Sequence, residues 1–100
     1  MQRHASIKPT HPGAILRNTV IPALGVTRQA FADALGTTRS TVQRLLAEEI
    51  GVSAEMAVRL GKVCGNGPRL WINLQAAYDL HKAEQSVPVD DLPTLEPVSA

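Results

Sequence analysis

Apolar positions along this chain recur at three- and four-residue intervals, and no segment alternates apolar and polar residues over the length of a strand, so the pattern predicts an all-α chain. Pro12 suits the first position of a helix, because its φ is already fixed and its missing N–H would have no partner there. That helix is expected to run through Ile15, Leu16 and Thr19 until Pro22 distorts or ends it, with Gly25 closing the segment. Thr27 is placed to cap a second helix with Ala30, Phe31, Ala34 and Leu35 on one side, stopped by Gly36 in a left-handed conformation. Thr38 is placed to cap a third, in which Val42, Leu45 and Leu46 repeat at helical spacing while Arg39, Ser40, Gln43 and Arg44 fall largely on the other side. Ser53 then caps a fourth helix with Met56, Ala57, Leu60, Val63 and Cys64 as its apolar stripe. Gly65-Asn66-Gly67-Pro68 breaks the chain before a fifth helix bearing Leu70, Trp71, Leu74, Ala77, Tyr78 and His81. From about residue 85, Pro88, Pro93 and Pro97 alternate with Asp90, Asp91 and Glu96, a mixture that resists helix formation and leaves few groups to pack. The organisation predicted is a five-helix domain over residues 1–84 and a short, flexible, proline-rich acidic tail over residues 85–100.

One stretch, Phe31-Ala32-Asp33-Ala34-Leu35-Gly36-Thr37-Thr38-Arg39-Ser40-Thr41-Val42-Gln43-Arg44-Leu45, has the parts of a helix-turn-helix. Two helices crossing steeply through a three- or four-residue turn need a small residue where the backbones approach, supplied by Ala32, and a glycine tolerant of positive φ, supplied by Gly36. Phe31, Leu35, Val42 and Leu45 fill the wedge between them. The second helix is thereby held outward, where its amino-terminal residues reach into a DNA major groove roughly 12 Å wide.

Composition removes other possibilities. With 44% hydrophobic and 19% charged residues in 100, the chain has the balance of a single globular domain, and no apolar run approaches the ~20 residues a membrane span needs. The amino terminus leads into Lys8-Pro9-Thr10-His11-Pro12 and not into an apolar block, so no secretory signal is read and a cytoplasmic location is expected. Cys64 is the only cysteine, and with His4, His11 and His81 it offers neither zinc spacing nor a nucleophile beside a base; no phosphate-cradling loop is present. The chain is expected to be no enzyme, with no cofactor, metal or small-molecule substrate. The net charge of +1 hides an asymmetry: six basic residues stand against three acidic in the first fifty positions, and four against six in the second fifty. The amino-terminal half is the likelier partner of a polyanion.

With these residues in hand, the chain resembles the phage-repressor-like helix-turn-helix family, the Cro/C1 or Xre type, over about residues 12–65, most closely in the Leu-Gly-Thr-Thr turn. A narrower resemblance, over about residues 11–82, is to the HigA-type antitoxins. It adds His11-Pro12-Gly13 opening the first helix and Trp71-Ile72-Asn73-Leu74-Gln75-Ala76-Ala77-Tyr78-Asp79-Leu80 in the fifth. Members of that family are dimers that bind operator DNA, repress their own operon, and neutralise a co-transcribed ribonuclease toxin.

By position, the resemblance implies that Arg39, Ser40, Gln43 and Arg44 read bases. Arg44 suits guanine, whose O6 and N7 match a guanidinium fork, and Gln43 suits adenine. Arg28 and Thr38 match positions that contact phosphate, where helix starts add favourable dipoles. Trp71, Leu74 and Tyr78 are read either as core or as the homodimer interface, since a two-fold pair is what reads two half-sites about 34 Å apart. Ile7, Pro9, His11, Ile15 and Leu16 are implied as the toxin-binding surface. The loop Ala47-Glu48-Glu49-Ile50 departs from the family, which often has Gly and Lys there: either the two glutamates turn away from DNA, or they weaken the complex and leave it more dependent on distortion at the operator centre. Two alternatives stay open, a stand-alone repressor without a toxin and a protein-interaction module that has lost DNA binding.

Overall fold

The structure, a computed structural model, describes residues 8–98. Helices are the regular elements among them: α1 (Pro12–Ile15), a π-helical segment (Leu16–Val20) and α2 (Ile21–Leu24), which follow one another without a break, then α3 (Arg28–Leu35), α4 (Arg39–Leu46), α5 (Ala54–Cys64) and α6 (Pro68–Ser86). The first three form one continuous helix, so the described residues make five helical rods.

Pro22 neither ends the first rod nor kinks it out of the fold. It has no N–H to give and its ring crowds the carbonyl four residues earlier, and the backbone widens to accommodate both. The Ile21 N–H reaches back five residues to the Leu16 carbonyl, and α2 continues to Gly25, which closes it at φ 68°.

Each later rod starts on a side-chain cap. Thr27 accepts from the Ala30 N–H at 3.0 Å, Thr38 from the Thr41 N–H at 3.1 Å and Ser53 from the Met56 N–H at 3.1 Å, each satisfying one of the donors a helix start leaves unpaired. One core joins all five rods: Leu16, Phe31, Ala32, Leu35, Val42, Leu45, Leu46, Val52, Ala57, Leu60 and Trp71. On α3 the buried face is Phe31, Ala32 and Leu35, while Ala30 and Ala34, expected on that side, face solvent. The stripe is rotated toward Ala32, because the crossing helix takes up the smallest side chain at closest approach.

α6 packs chiefly along α5 and touches α1. Its Trp71 is 1% exposed, and the indole N–H donates to Asn66 Oδ1 at 2.8 Å. Of the two readings left open for Trp71, core or dimer interface, its burial gives the core, because a side chain this enclosed has no surface to offer a second copy. Leu74 is half-buried against the same core, and Tyr78 lies edge-on against the His11 ring, with centroids 4.8 Å apart. α6 ends at Ser86, whose hydroxyl donates to the Lys82 carbonyl, two residues beyond the boundary read from the sequence. The chain from Val87 to Val98 is exposed, with one turn closed by the Leu92 N–H on the Val89 carbonyl.

Candidate nucleic-acid interface

α3, the turn and α4 form the helix-turn-helix. Gly36 takes φ 72° at the end of α3, so its own N–H bonds the Asp33 carbonyl and the Thr37 N–H bonds the Ala32 carbonyl, a left-handed stop that releases the chain into the turn. Two glycine-dependent contacts hold the unit. At Gly36 the backbone conformation excludes a side chain at low cost. At Gly13 the need is space: a Cβ would overlap the carbonyl oxygen of Leu45, so only glycine lets α1 lie directly on α4.

His11 prepares that contact. Its Nδ1 accepts the Gly13 N–H at 2.8 Å and caps α1, with the ring 4% exposed between Tyr78 and the neighbouring backbone. Burial holds the imidazole below its ordinary pKa; the carboxylates of Glu48 and Asp79 and the Ile50 backbone pull upward, and the Lys82 ammonium adds to the depression. Neutral His11 is what the cap requires, since a protonated Nδ1 accepts nothing.

Two arginines that sequence reasoning passed over lock the carboxyl ends of both helices. Arg59, on α5, donates from Nη1 to the carbonyls of Leu35 at 2.8 Å and Gly36 at 3.1 Å, and its other nitrogen meets Glu55 at 2.8 Å. Arg17, in the π segment, donates to the Leu46 carbonyl at 2.6 Å and to Glu48 at 3.3 Å. Cations placed on the negative ends of α3 and α4 satisfy orphan carbonyls and complement the helix dipoles. No local signal marks them, because the carbonyls they hold lie 24 and 29 residues away. They also reduce the cations available to DNA: of the amino-terminal positive charges, Arg17 is spent inside the fold.

The exposed face carries the residues expected to read bases. Arg28 of α3 shares one shallow concavity with Ser40, Gln43, Arg44, Ala47 and Glu49, so phosphate and base candidates from two helices face the same side. Arg39 is exposed on the first turn of α4, beside that concavity. Thr38 caps the start of α4: its oxygen accepts the Thr41 N–H at 3.1 Å, and its hydroxyl pairs with that of Thr41 at 3.0 Å. The donors at this helix start are the Arg39 and Ser40 backbone N–H groups, which a helix leaves unpaired.

The two glutamates separate. Glu48 adopts φ 64° as the left-handed residue ending α4, where its N–H bonds the Leu45 carbonyl and the Glu49 N–H bonds the Arg44 carbonyl. Its carboxylate turns to Arg17, while Glu49 lies 4.0 Å from the Arg44 guanidinium, with both side chains more than half exposed. Glu49 thus screens the charge of Arg44 and Glu48 does not.

Of the amino-terminal set expected to meet a toxin, Leu16 is fully buried and His11 is a buried cap; these two are corrected to structural roles. Pro9 and Ile15 are half-buried and keep accessible surface, and Ile7 lies outside the described residues. Cys64 is half-buried, and burial pushes its thiol up, as suits a packing residue and not a nucleophile. Among the described residues no group of His, Cys, Asp and Glu is arranged to hold a metal, and no helix is long and apolar enough to cross a membrane.

Comparison with known proteins agrees with this geometry. The family described as Helix-turn-helix matches residues 16–71. Antitoxin HigA-1 of Vibrio cholerae is 33% identical over 78 residues, 78% of this chain and 73% of its own length. Antitoxin GraA, solved in complex with its operator, superposes with TM-score 0.78 at 39% identity, covering 94% of this chain and 95% of that one. The Pseudomonas aeruginosa antitoxin HigA, solved with the higBA promoter, gives TM-score 0.77 at 33% identity over 88% of this chain and all of the other.

Proposed function

This chain belongs to the HigA-type antitoxins of the Xre helix-turn-helix family, a family of DNA-binding regulators and not of enzymes, and from that premise we propose that it represses its own operon and neutralises a co-encoded ribonuclease. The observation that carries the DNA-binding part is the shared exposed concavity of Arg28, Ser40, Gln43 and Arg44, flanked by Arg39 and the free amino-terminal N–H groups of α4. A guanidinium fork on the outer face of a helix held outward by Arg17, Arg59 and Gly13 has the chemistry of major-groove readout. Arg28 and the helix start supply the positioning contacts to phosphate. Neutralisation is supported by kinship with HigA-1. α4 stays free for DNA if the toxin docks elsewhere, and Pro9, just before the first rod, and Ile15, on it, are the accessible part of that surface.

The test is a promoter-reporter assay in cells with the DNA upstream of the chain's own gene. Wild type is expected to repress, Arg44→Ala to lose at least tenfold of the repression, and co-expression to rescue growth from a ribonuclease encoded beside it. Repression that survives Arg44→Ala would sink the assignment of the reading residues. Repression without any rescue would leave a stand-alone repressor.

A further inference from the structure

The cap that ends α4 brings two particular side chains together. Glu48 takes the left-handed turn at φ 64°, its N–H reaches the Leu45 carbonyl at 3.0 Å, and the Glu49 N–H reaches back to the Arg44 carbonyl at 2.9 Å. In this arrangement the residue after the left-handed one meets the third residue from the helix end, and the contact is frequently apolar. Here it is charged: a Glu49 carboxylate oxygen lies 4.0 Å from Arg44 Nε. The approach is at Nε, and the two terminal nitrogens of the guanidinium have no partner among the described residues. Both side chains line the concavity that also holds Arg28, Ser40, Gln43 and Ala47, and Glu49 is the one acid among those lining residues.

We propose that Glu49 is a specificity-determining residue: placed on Arg44 by the cap, it withholds that arginine from phosphate and keeps it for a base. An arginine contributes to the two kinds of complex in different ways. On DNA of any sequence it acts as a mobile charge that neutralises a phosphate and releases counterions, which is the sequence-independent part of affinity. On guanine it acts as a fork, with two directed hydrogen bonds to O6 and N7, acceptors that carry no net charge. A carboxylate beside Nε cancels much of the first contribution, because the pair has no net charge and the carboxylate repels any phosphate brought up to Arg44. It spares the second, since the terminal nitrogens stay available. It also narrows the swing of a long side chain before DNA arrives, which lowers the ordering cost of the directed contact. Glu49 therefore weakens complexes with every sequence, and those without the matching base most. Arg28 and Arg39 have no carboxylate partner among the described residues and keep their full charge for positioning. With both side chains of the pair more than half exposed, solvent screens the interaction and the effect is a bias of a few fold.

The proposal rests on the reading of DNA by α4, and binding of the full chain to its own promoter and to random DNA, each across a salt series, separates the two. Glu49→Gln keeps the size of the side chain and the backbone cap. It is expected to raise affinity for random DNA about fivefold while promoter affinity moves by less, so that preference for the promoter falls about threefold. The log–log salt slope on random DNA is expected to steepen by about 0.9, the value of one more phosphate neutralised, with the promoter slope unchanged. In an Arg44→Ala background the same substitution is expected to leave promoter preference where Arg44→Ala alone puts it, since no fork remains to be withheld. Equal gains on both DNAs from Glu49→Gln, with wild-type preference intact, would overturn the role of Glu49 and leave the DNA-binding reading standing, because plain repulsion of phosphate gives that result. An undiminished fall in preference in the Arg44→Ala background would overturn it as well, since the effect would then bypass Arg44. A wild type that binds both DNAs alike overturns the two readings together.

Discussion

Single residues at the ends of α1 and α4 set how firmly the reading helix is held. Glu48 is a non-glycine residue at φ 64° in the position that usually takes glycine. The left-handed conformation costs ~1 kcal/mol or more, whereas the exposed pair with Arg17 returns at most about 1. Glu48→Gly is therefore expected to raise unfolding stability by about 0.5 kcal/mol, read as a higher urea midpoint at unchanged slope. His11 contributes a pH dependence of definite sign. Unfolded, its ring titrates near 6.5; folded, burial puts it lower. Its contribution is complete above 6.5. As pH falls below that value the unfolded chain takes up a proton that the folded chain refuses, and stability drops until the folded value is passed. His11→Asn keeps a capping acceptor and does not titrate, so chemical denaturation between pH 7.5 and 5.5 is expected to show a loss in wild type that this variant lacks.

At the scale of elements, the sequence told where helices begin better than how they meet. Thr27, Thr38 and Ser53 are legible because a cap is a local event: a hydroxyl and an N–H three residues on. The polar face of α4 is legible for the same reason, since helical periodicity places Ser40, Gln43 and Arg44 together before any tertiary contact forms. Arg17 and Arg59 were not legible, because their partners are carbonyls on distant helices and any exposed arginine looks alike in one dimension. Trp71 was ambiguous because an aromatic on an amphipathic helix suits a core and an interface equally, and only the packing of α5 on α6 decides. Pro22 left two outcomes open, distortion or an end, and the structure takes the first: a wider turn upstream absorbs the ring and the helix runs on. Arg59→Ala removes both donors from the end of α3 and is expected to destabilise by about 1–2 kcal/mol, with the side chain's partial exposure holding the loss down. Replacement by lysine is expected to recover only part, since one ammonium lacks the fork that reaches two carbonyls and Glu55 together. Thermal unfolding of the three proteins measures this.

For the whole molecule, small net charge and sequence-specific DNA binding are compatible because the charges are sorted. Arg28 and Arg44 line one concavity, with Arg39 exposed on the first turn of α4, and five of the nine acidic residues lie from Asp79 onward. Few cations face DNA, so the non-specific electrostatic component is modest and base readout must carry the discrimination. The central claim is that the outer face of α4 performs that readout. The most direct measurement is binding of the full chain to its own promoter and to random DNA across a salt series, for wild type, Arg39→Ala and Arg44→Ala. The account predicts selective binding that weakens with salt in wild type, and a loss of about tenfold in promoter affinity with Arg44→Ala while affinity for random DNA changes far less. Equal affinity of wild type for promoter and random DNA at moderate salt, or equal losses on both DNAs in the variants, would contradict it.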